Sequence, residues 1–534
     1  MADPAFSAKA NQSNVKAARG IAGKAVDRFP RDLYLEFTRN GNRTHYQAWR
    51  EKFLKALDAL VSGEVAERKG RFLPAIAERL DALCGWPSWV LPAHDRALDE
   101  FDGRWRCPDL VSTDLARHLA RILWSVGGRL PAETVASVRR EVNERVFRPY
   151  LEWPEKLWWF QGGNNWNAVC HCGCVIAALS MVEDRMTRAR FVEGAERGGK
   201  VFLAKGFEAD GYCSEGMSYW NYGFGHFIDL TLAVRRATGG AVDYCSSPRA
   251  LAAMRYGLTD QLVRGVSPKF ADGDGNPNMG VVARGLEIWP ELKGVADAPL
   301  PLRSVFPDGQ VWLMRLPADD PASFAFACKG GHNGELHNHN DVGSYNVLIG
   351  GELVAGDVGG EVYTARTFSA RRYESKVLSS YGHPVPRVGG ALQSVGRAAA
   401  AKVVKTDFTE QKDTVVLDIA KAYDCPTLTA LTRTFVFDRQ KRTVTITDSV
   451  SFSAPTEFES PVMTTDPQSL KGRVSVSTTG GDWERCAEAI ENPGRPTAHR
   501  IAIRFKEPVV EASVSFVFSC GLNGQNPCGR IQEK

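Results

Sequence analysis

The sequence predicts an α+β multidomain protein, with a helical N-terminal half followed by antiparallel β-sheets of the sandwich type. Three observations carry this reading. Apolar residues recur at helical spacing through residues 1–300, and the apolar period changes to two afterwards. The change falls near residues 298–303, a stretch that contains Pro299 and Pro301. A chain of 534 residues also calls for more than one domain. The expected domains are therefore 1–300 and 301–534.

The elements follow in order. Trp49, Phe53, Leu57 and Leu60 recur at helical spacing, as do Leu115, Leu119, Ile122 and Leu123. Ser112 and Thr113 are the expected caps of the second of these helices. Pro131 is expected to open a helix with Val135, Val138, Val142 and Val146 along one stripe. Beyond the boundary, residues 311–314 form a short apolar run. Residues 345–349 and 353–355, joined through Gly350-Gly351, read as a hairpin. Phe435 and Phe437 alternate with Val436, and Val444 and Ile446 alternate with threonines across a charged turn at 439–442. Val474 and Val476 alternate with serines. No repeat of fixed length is present. Paired helices without a repeat can close into a toroid or form an irregular bundle, and periodicity does not choose between them.

Composition narrows the function classes. Hydrophobic residues make up 43% and charged residues 24%, an ordinary globular balance. With 66 basic and 62 acidic residues, the net charge of +4 demands no nucleic-acid partner. A locally basic cleft can still hold an anionic substrate. No apolar run is long enough to insert in a membrane. The start, Met1-Ala2-Asp3-Pro4-Ala5, is polar and has no signal-peptide apolar core, which leaves the compartment open. Twelve cysteines are too few for a disulfide scaffold at this length and read as buried thiols. Cys520 with Cys528 is one pairing the spacing allows.

Three segments carry chemistry. In the first, Gly162 and Gly163 precede Asn164, Asn165, Trp166 and Asn167, with Trp158 and Trp159 just upstream. An Asn amide at a helix start caps it or donates to a carboxylate. Three of them beside tryptophans suit sugar binding. The adjoining Cys170-His171-Cys172-Gly173-Cys174 superficially resembles a metal cluster. On a helix, however, Cys170, Gly173, Cys174, Ala177 and Ala178 form a small-residue stripe, which points to close packing. In the second segment, Glu215, Tyr219, Tyr222 and His226 are crowded among Gly211, Gly216, Gly223 and Gly225. That is more glycine than a purely structural helix would carry.

The third segment holds His332, His337, His339 and Asp341, from a chain with only ten histidines. On an extended chain His337, His339 and Asp341 share one side. A hairpin turning at Gly350-Gly351 returns Asp357 opposite Ser344, close to His339, and His383 is a further candidate. Two histidines and one aspartate suit zinc or a similar divalent ion, and a metal-free polar cluster is the alternative.

Taken in order, Asn164-Asn165-Trp166, then Asp210-Gly211 leading to Glu215-Gly216 and Tyr219-Trp-Asn-Tyr222, then His337-x-His339-x-Asp341 resemble the heparinase II/III-like polysaccharide lyases. The resemblance runs through most of the chain. It implies an (α/α) toroid followed by antiparallel sheets, and β-elimination on acidic polysaccharides such as heparan sulfate, chondroitin sulfate, hyaluronan or alginate. It also implies a periplasmic or secreted location. Carried over residue by residue, Asn165 neutralises the uronate, with Asn164, Trp166 and Asn167 beside it in substrate binding. Tyr222 and His337 match the catalytic pair, while Glu215 and Tyr219 line the substrate. His339, Asp357 and His383 match the ligands of a structural divalent metal, with zinc first and manganese or calcium as alternatives. Arg371 and Arg372 are candidate substrate-binding cations that would also lower the Tyr222 pKa. Two positions depart from the family. Trp166 stands where many relatives have histidine, and Glu215 stands where alginate-type relatives have a substrate-binding arginine. The rival readings are a toroid glycoside hydrolase using Glu215 and Asp341 as its carboxyl pair, and a non-catalytic carbohydrate-binding protein.

Overall fold

The computed structural model describes residues 4–520. Cys528 and the first three residues, on which the disulfide and leader expectations rest, lie outside the described residues. The last helix of the helical stretch is Lys293–Asp297 and the first strand is Arg303–Phe306, so the period changes where the prolines lie. The chain packs as two compact units. The first takes the chain up to Phe202 together with His226–Tyr244 and Thr364–Arg366. The second takes Leu203–Gly225, Cys245–Tyr363 and the chain from Thr367 onward. Residues 203–225 and 245–297, although largely helical or looped, thus belong to the unit that holds the sheets.

The first unit is built from amphipathic helices. Helix Thr44–Glu67 buries Phe53, Leu57 and Leu60 one turn apart. Helix Leu110–Val126 buries Leu115, Leu119 and Ile122, but neither Ser112 nor Thr113 is its cap. Asp109 takes that place. Its carboxylate accepts the Ser112 N–H at 2.8 Å, and the Ser112 hydroxyl accepts the Asp109 N–H at 2.8 Å. The same carboxylate accepts the Leu91 N–H at 3.0 Å, so one acid ties the helix start to an upstream loop. Pro131 is the residue before helix Ala132–Val142, which runs on through the π turn Asn143–Phe147. Val138, Val142 and Val146 are buried there, while Val135 is half-buried.

Helix Asn165–Met181 packs on helix Leu110–Val126 at close range. A Cβ placed on Gly173 would lie 2.4 Å from the Thr113 carbonyl oxygen, inside any permitted contact. Cys170, Cys172 and Cys174 are buried thiols of this helix, as the small-residue stripe predicts. Burial pushes all three thiols up.

The second unit carries the sheets, all with antiparallel pairing. A five-stranded sheet contains the predicted hairpin, now Tyr345–Ile349 with Glu352–Gly356. A six-stranded sheet contains Leu428–Asp438 paired with Thr443–Thr456, with Phe435 opposite Ile446 and Phe437 opposite Val444. The two sheets face each other through one core. Phe324 stacks on Phe437 at 5.1 Å, and Phe326 lies 5.5 Å from Phe435. Inside this core the Arg433 guanidinium grips the Asp448 carboxylate at 2.6 and 2.7 Å. It also donates to the carbonyls of Gly343 and Pro384. A buried arginine satisfied in this way fixes the backbone just after the histidine-rich loop and just after His383.

Candidate functional site

The tyrosine segment of the second unit is held by a neighbouring loop, residues 271–278. Gly216 adopts φ +90°, and a Cβ there would meet the Gly273 carbonyl oxygen at 2.6 Å. The Ser218 N–H donates to that carbonyl at 3.1 Å. Asn221 donates to the Asn276 carbonyl at 2.7 Å and accepts the Asn278 N–H at 2.8 Å. Glycine at 216 is thus required by both the backbone conformation and the close approach. The helix Met217–Tyr219 then widens into a π turn, Trp220–Phe224, an irregularity often found at functional sites. Glu215 and Trp220 are buried, whereas Tyr222 is 37% exposed.

Beyond the two-residue strand His332–Asn333, the histidine-rich segment is a loop, not a strand. His337 has φ +52°, a left-handed conformation that glycine adopts freely and a histidine tolerates at a cost of about 1–2 kcal/mol. The expectation that His337, His339 and Asp341 share one side of an extended chain is therefore overturned. Asp341 turns to Lys329 at 3.0 Å, and Lys329 also pairs with Glu335 at 3.2 Å, in a buried cluster. The two histidines instead converge on Asp272. His337 Nδ1 lies 3.0 Å from Asp272 Oδ2, and His339 Nε2 lies 2.9 Å from Oδ1. The Asp272 N–H donates to the His337 carbonyl at 3.3 Å, which holds the unusual backbone in place.

Arg372 completes this group. Its guanidinium reaches both Asp272 oxygens at 2.9 Å and the carbonyls of Thr367 and Asn338 at 3.1 and 3.0 Å. It is turned inward rather than toward an open surface. Arg371, by contrast, is exposed and pairs with Glu374 at 2.8 Å. Burial pushes the Asp272 carboxyl up. The hydrogen bonds to His337 and His339 and the Arg372 charge outweigh it, and hold the carboxyl well below the usual range. The Tyr219 ring stacks on His337 at 4.1 Å, and its hydroxyl lies 2.6 Å from that of Tyr363. Tyr363 OH in turn lies 3.5 Å from His337 Nδ1. Burial pushes both phenols above the ordinary tyrosine value.

His339, Asp357 and His383 form a second, fully buried group, in which one ligand-type atom from each lies within 4.8 Å of the others. The hairpin does what its turn predicts. Asp357 lies beside Ser344, whose hydroxyl donates to it at 3.2 Å. The donor set fits a metal. His339 Nδ1 and His383 Nε2 are buried with no hydrogen-bond partner, although each ring's other nitrogen is bonded to a carboxylate, Asp272 or Asp357. A buried unpartnered imidazole nitrogen is costly unless it ligates something. Burial pushes the His383 imidazole down, but the Asp357 carboxylate beside it outweighs burial and holds it above the ordinary value. Asp357 is correspondingly lowered, its burial outweighed chiefly by His383.

The asparagine segment belongs to the first unit. Asn164 is the cap of helix Asn165–Met181, accepting the Trp166 N–H at 3.2 Å. Asn167 is buried and donates to the carbonyls of Phe160 and Gly162 at 3.2 and 3.0 Å. Asn165 is buried at the first helical position. Trp166 packs against Trp158 at 4.7 Å and His94 at 4.6 Å, leaving Trp158 half exposed. His171 is buried, with Tyr150 OH at 2.7 Å from one ring nitrogen and the Phe160 carbonyl at 3.1 Å from the other. Burial pushes its pKa down to about 4, so it stays neutral.

Two residues of the second unit's site escaped sequence reasoning, Asp272 and Tyr363. The first had a local signal in Asp272-Gly-Asp-Gly-Asn276, a loop pattern rich in turn formers and acids. Tyr363 had none.

The sequence matches no protein-family model and no curated protein. Solved structures do match. A heparinase III gene product aligns over 96% of this chain and 84% of its own length, with TM-score 0.66 and 12% identity. The heparan sulfate lyase HepC of Pedobacter heparinus aligns over 96% and 88%, with TM-score 0.60 and 16% identity. A crystal structure of heparinase III aligns over 87% and 76%, with TM-score 0.65 and 12% identity. Such low identity over nearly whole chains speaks to the path of the backbone alone. On that evidence the chain has the fold of the heparinase-like polysaccharide lyases.

Proposed function

We propose that the protein is a polysaccharide lyase that cleaves uronic-acid-containing acidic polysaccharides by β-elimination, with the helices of its first unit as an (α/α) toroid. The observation that carries the reading is His337. It is held in a left-handed backbone by Asp272, stacked on Tyr219, and carried by a fold shared with lyases. Heparan sulfate is the first substrate to test, because it is named for one of the structural neighbours. Such polymers are met outside the cytoplasm, which fits a periplasmic or secreted enzyme.

In this reaction the C5 proton of the uronate leaves, its electron pair becomes the C4=C5 double bond, and the C4–O bond breaks. A proton goes to the departing oxygen, and no water is consumed. Removing the C5 proton places charge beside the existing carboxylate, so neutral donors must stabilise it. Asn165 is assigned that role, with Asn164 and Trp166 alongside, whereas the Asn167 amide is already spent on the Phe160 and Gly162 carbonyls and serves to hold the segment. Tyr222 is assigned proton transfer because it is the exposed phenol of the segment. Tyr219 is half-buried and tied to Tyr363, which suits stacking and alignment of His337. His337 takes the other proton-transfer role through Nε2, the ring nitrogen that Asp272 does not engage. Glu215 is buried, and it is retained as a lining group only. His339, Asp357 and His383 would hold a divalent ion, zinc before manganese or calcium, which supplies a rigid cross-link among the hairpin, the histidine loop and the His383 segment.

No observation favours the hydrolase, since Asp341 is consumed by Lys329. The test is ultraviolet absorbance of the purified protein with heparan sulfate, chondroitin sulfate, hyaluronan and alginate. The conjugated double bond absorbs where the intact polymers do not. A rise on one of them is expected. New reducing ends without a rise would overturn the reading.

A further inference from the structure

We propose that Asp272 is a positioning residue that sets two histidines at once, fixing the ring nitrogen His339 offers to the metal and the one His337 offers to substrate. This deepens the lyase reading and rests on it for the role of His337. The carboxylate is buried, and each of its oxygens serves a different ring. Oδ1 faces His339 Nε2 at 2.9 Å, and Oδ2 faces His337 Nδ1 at 3.0 Å. A carboxylate can only accept, so each facing nitrogen must carry its hydrogen. In neutral His339 the lone pair is then on Nδ1, the buried nitrogen with no hydrogen-bond partner beside Asp357 and His383. In neutral His337 the lone pair is on Nε2. The two rings have opposite tautomers, imposed by the two oxygens of one side chain.

The surroundings keep Asp272 available for this task. Arg372 holds both oxygens at 2.9 Å, so the carboxylate's orientation is fixed and its charge is matched. The Asp272 N–H bonds the His337 carbonyl, so backbone and side chain grip the same residue. Asn276 and Gly273 on the same loop hold the Tyr219–Tyr222 segment through Asn221 and Ser218. One loop therefore indexes the tyrosine segment, the proposed proton-transfer histidine and the metal ligand together. Asparagine at 272 is isosteric, but its amide has a single acceptor oxygen and cannot accept from both rings.

The test begins on the unaltered protein with zinc bound. Nitrogen-15 spectra of its histidines, with His337→Gln and His339→Gln used to assign the two rings, should show His337 as the Nδ1–H tautomer and His339 as the Nε2–H tautomer. Asp272→Asn should bind zinc about tenfold to a hundredfold more weakly in a chelator competition. Its kcat should fall by a comparable factor while KM moves little, because the substrate itself is not touched. An Nε2–H tautomer at His337 in the unaltered protein would overturn the proposal even if the variant failed to fold. So would a folded Asp272→Asn protein with normal zinc affinity and normal kcat. If no polysaccharide is cleaved by the unaltered protein, the lyase reading fails, while tautomers and zinc affinity still decide the role of Asp272.

Discussion

Two buried histidines, one in each unit, look alike in the sequence and differ in the structure. His171 sits among three cysteines, and both its ring nitrogens are bonded within the protein, to Tyr150 and to the Phe160 carbonyl. His339 sits among two other histidines and an aspartate, and only one of its nitrogens is bonded, leaving Nδ1 facing Asp357 and His383. Both are fully buried. The lesson is that a cluster of ligand-type residues is not yet a metal site. A satisfied imidazole is part of the packing. A buried one with a bare nitrogen, beside two other such groups, needs an occupant to offset its desolvation.

The largest effect is expected outside both clusters, at the proposed chemistry. Tyr222→Phe should lower kcat by about 10²–10⁴-fold with little change in melting temperature, since the residue is partly exposed. Turnover at the normal level would remove Tyr222 from the mechanism.

Next come the two histidines themselves. His339→Ala should lose bound zinc on dialysis and lower the melting temperature only to that of the metal-stripped protein. His171→Ala should keep its zinc and lose roughly 1–3 kcal/mol of stability, because it leaves the Tyr150 hydroxyl and the Phe160 carbonyl unpaired. Metal analysis beside thermal denaturation separates the cases. Zinc lost from His171→Ala, or kept by His339→Ala, would reverse the roles of the two histidines.

Acidity should change the folded-state charge of one cluster and not of the other. In the metal-free protein the raised His383 and lowered Asp357 form an ion pair. Its contribution from His383 is present below the unfolded imidazole value and lost as pH rises through the raised one. Its contribution from Asp357 is present above the unfolded carboxyl value and lost as pH falls through the lowered one. A metal needs His383 without its proton, so zinc retention should fall as pH drops through the raised His383 value. Zinc measured after dialysis at about pH 8 and about pH 5 checks this, and equal content at both would contradict it. His171, pushed down to about 4 by burial, should stay neutral in the folded protein over that range and leave zinc content unchanged, although its unfolded imidazole takes up a proton and so costs stability as pH falls below the ordinary imidazole value.

The smallest expected effect tests packing in the first unit. Gly173→Ala should cost about 1–3 kcal/mol by driving its helix off the Thr113 carbonyl, with no loss of zinc. Unfolding in denaturant would measure it, and an unchanged midpoint would mean the helices separate freely.

Much of this protein was determined by sequence alone. The helix-to-strand change, the hairpin that returns Asp357 to Ser344, and the small-residue stripe of Cys170, Gly173 and Cys174 all follow from local rules of period, turn and side-chain size, which need no distant partner. Tertiary structure alone decided what the polar residues do. Asp109 displaced Ser112 as cap because a distant loop also draws on its carboxylate. Arg372 faces inward because Asp272, 100 residues away in the chain, is there to receive it. His337 and His339 were legible as a pair, but not the acid that orients them. The physical reason is range. Apolar periodicity repeats within a few residues, whereas a hydrogen bond between side chains depends on where folding brings two remote segments together.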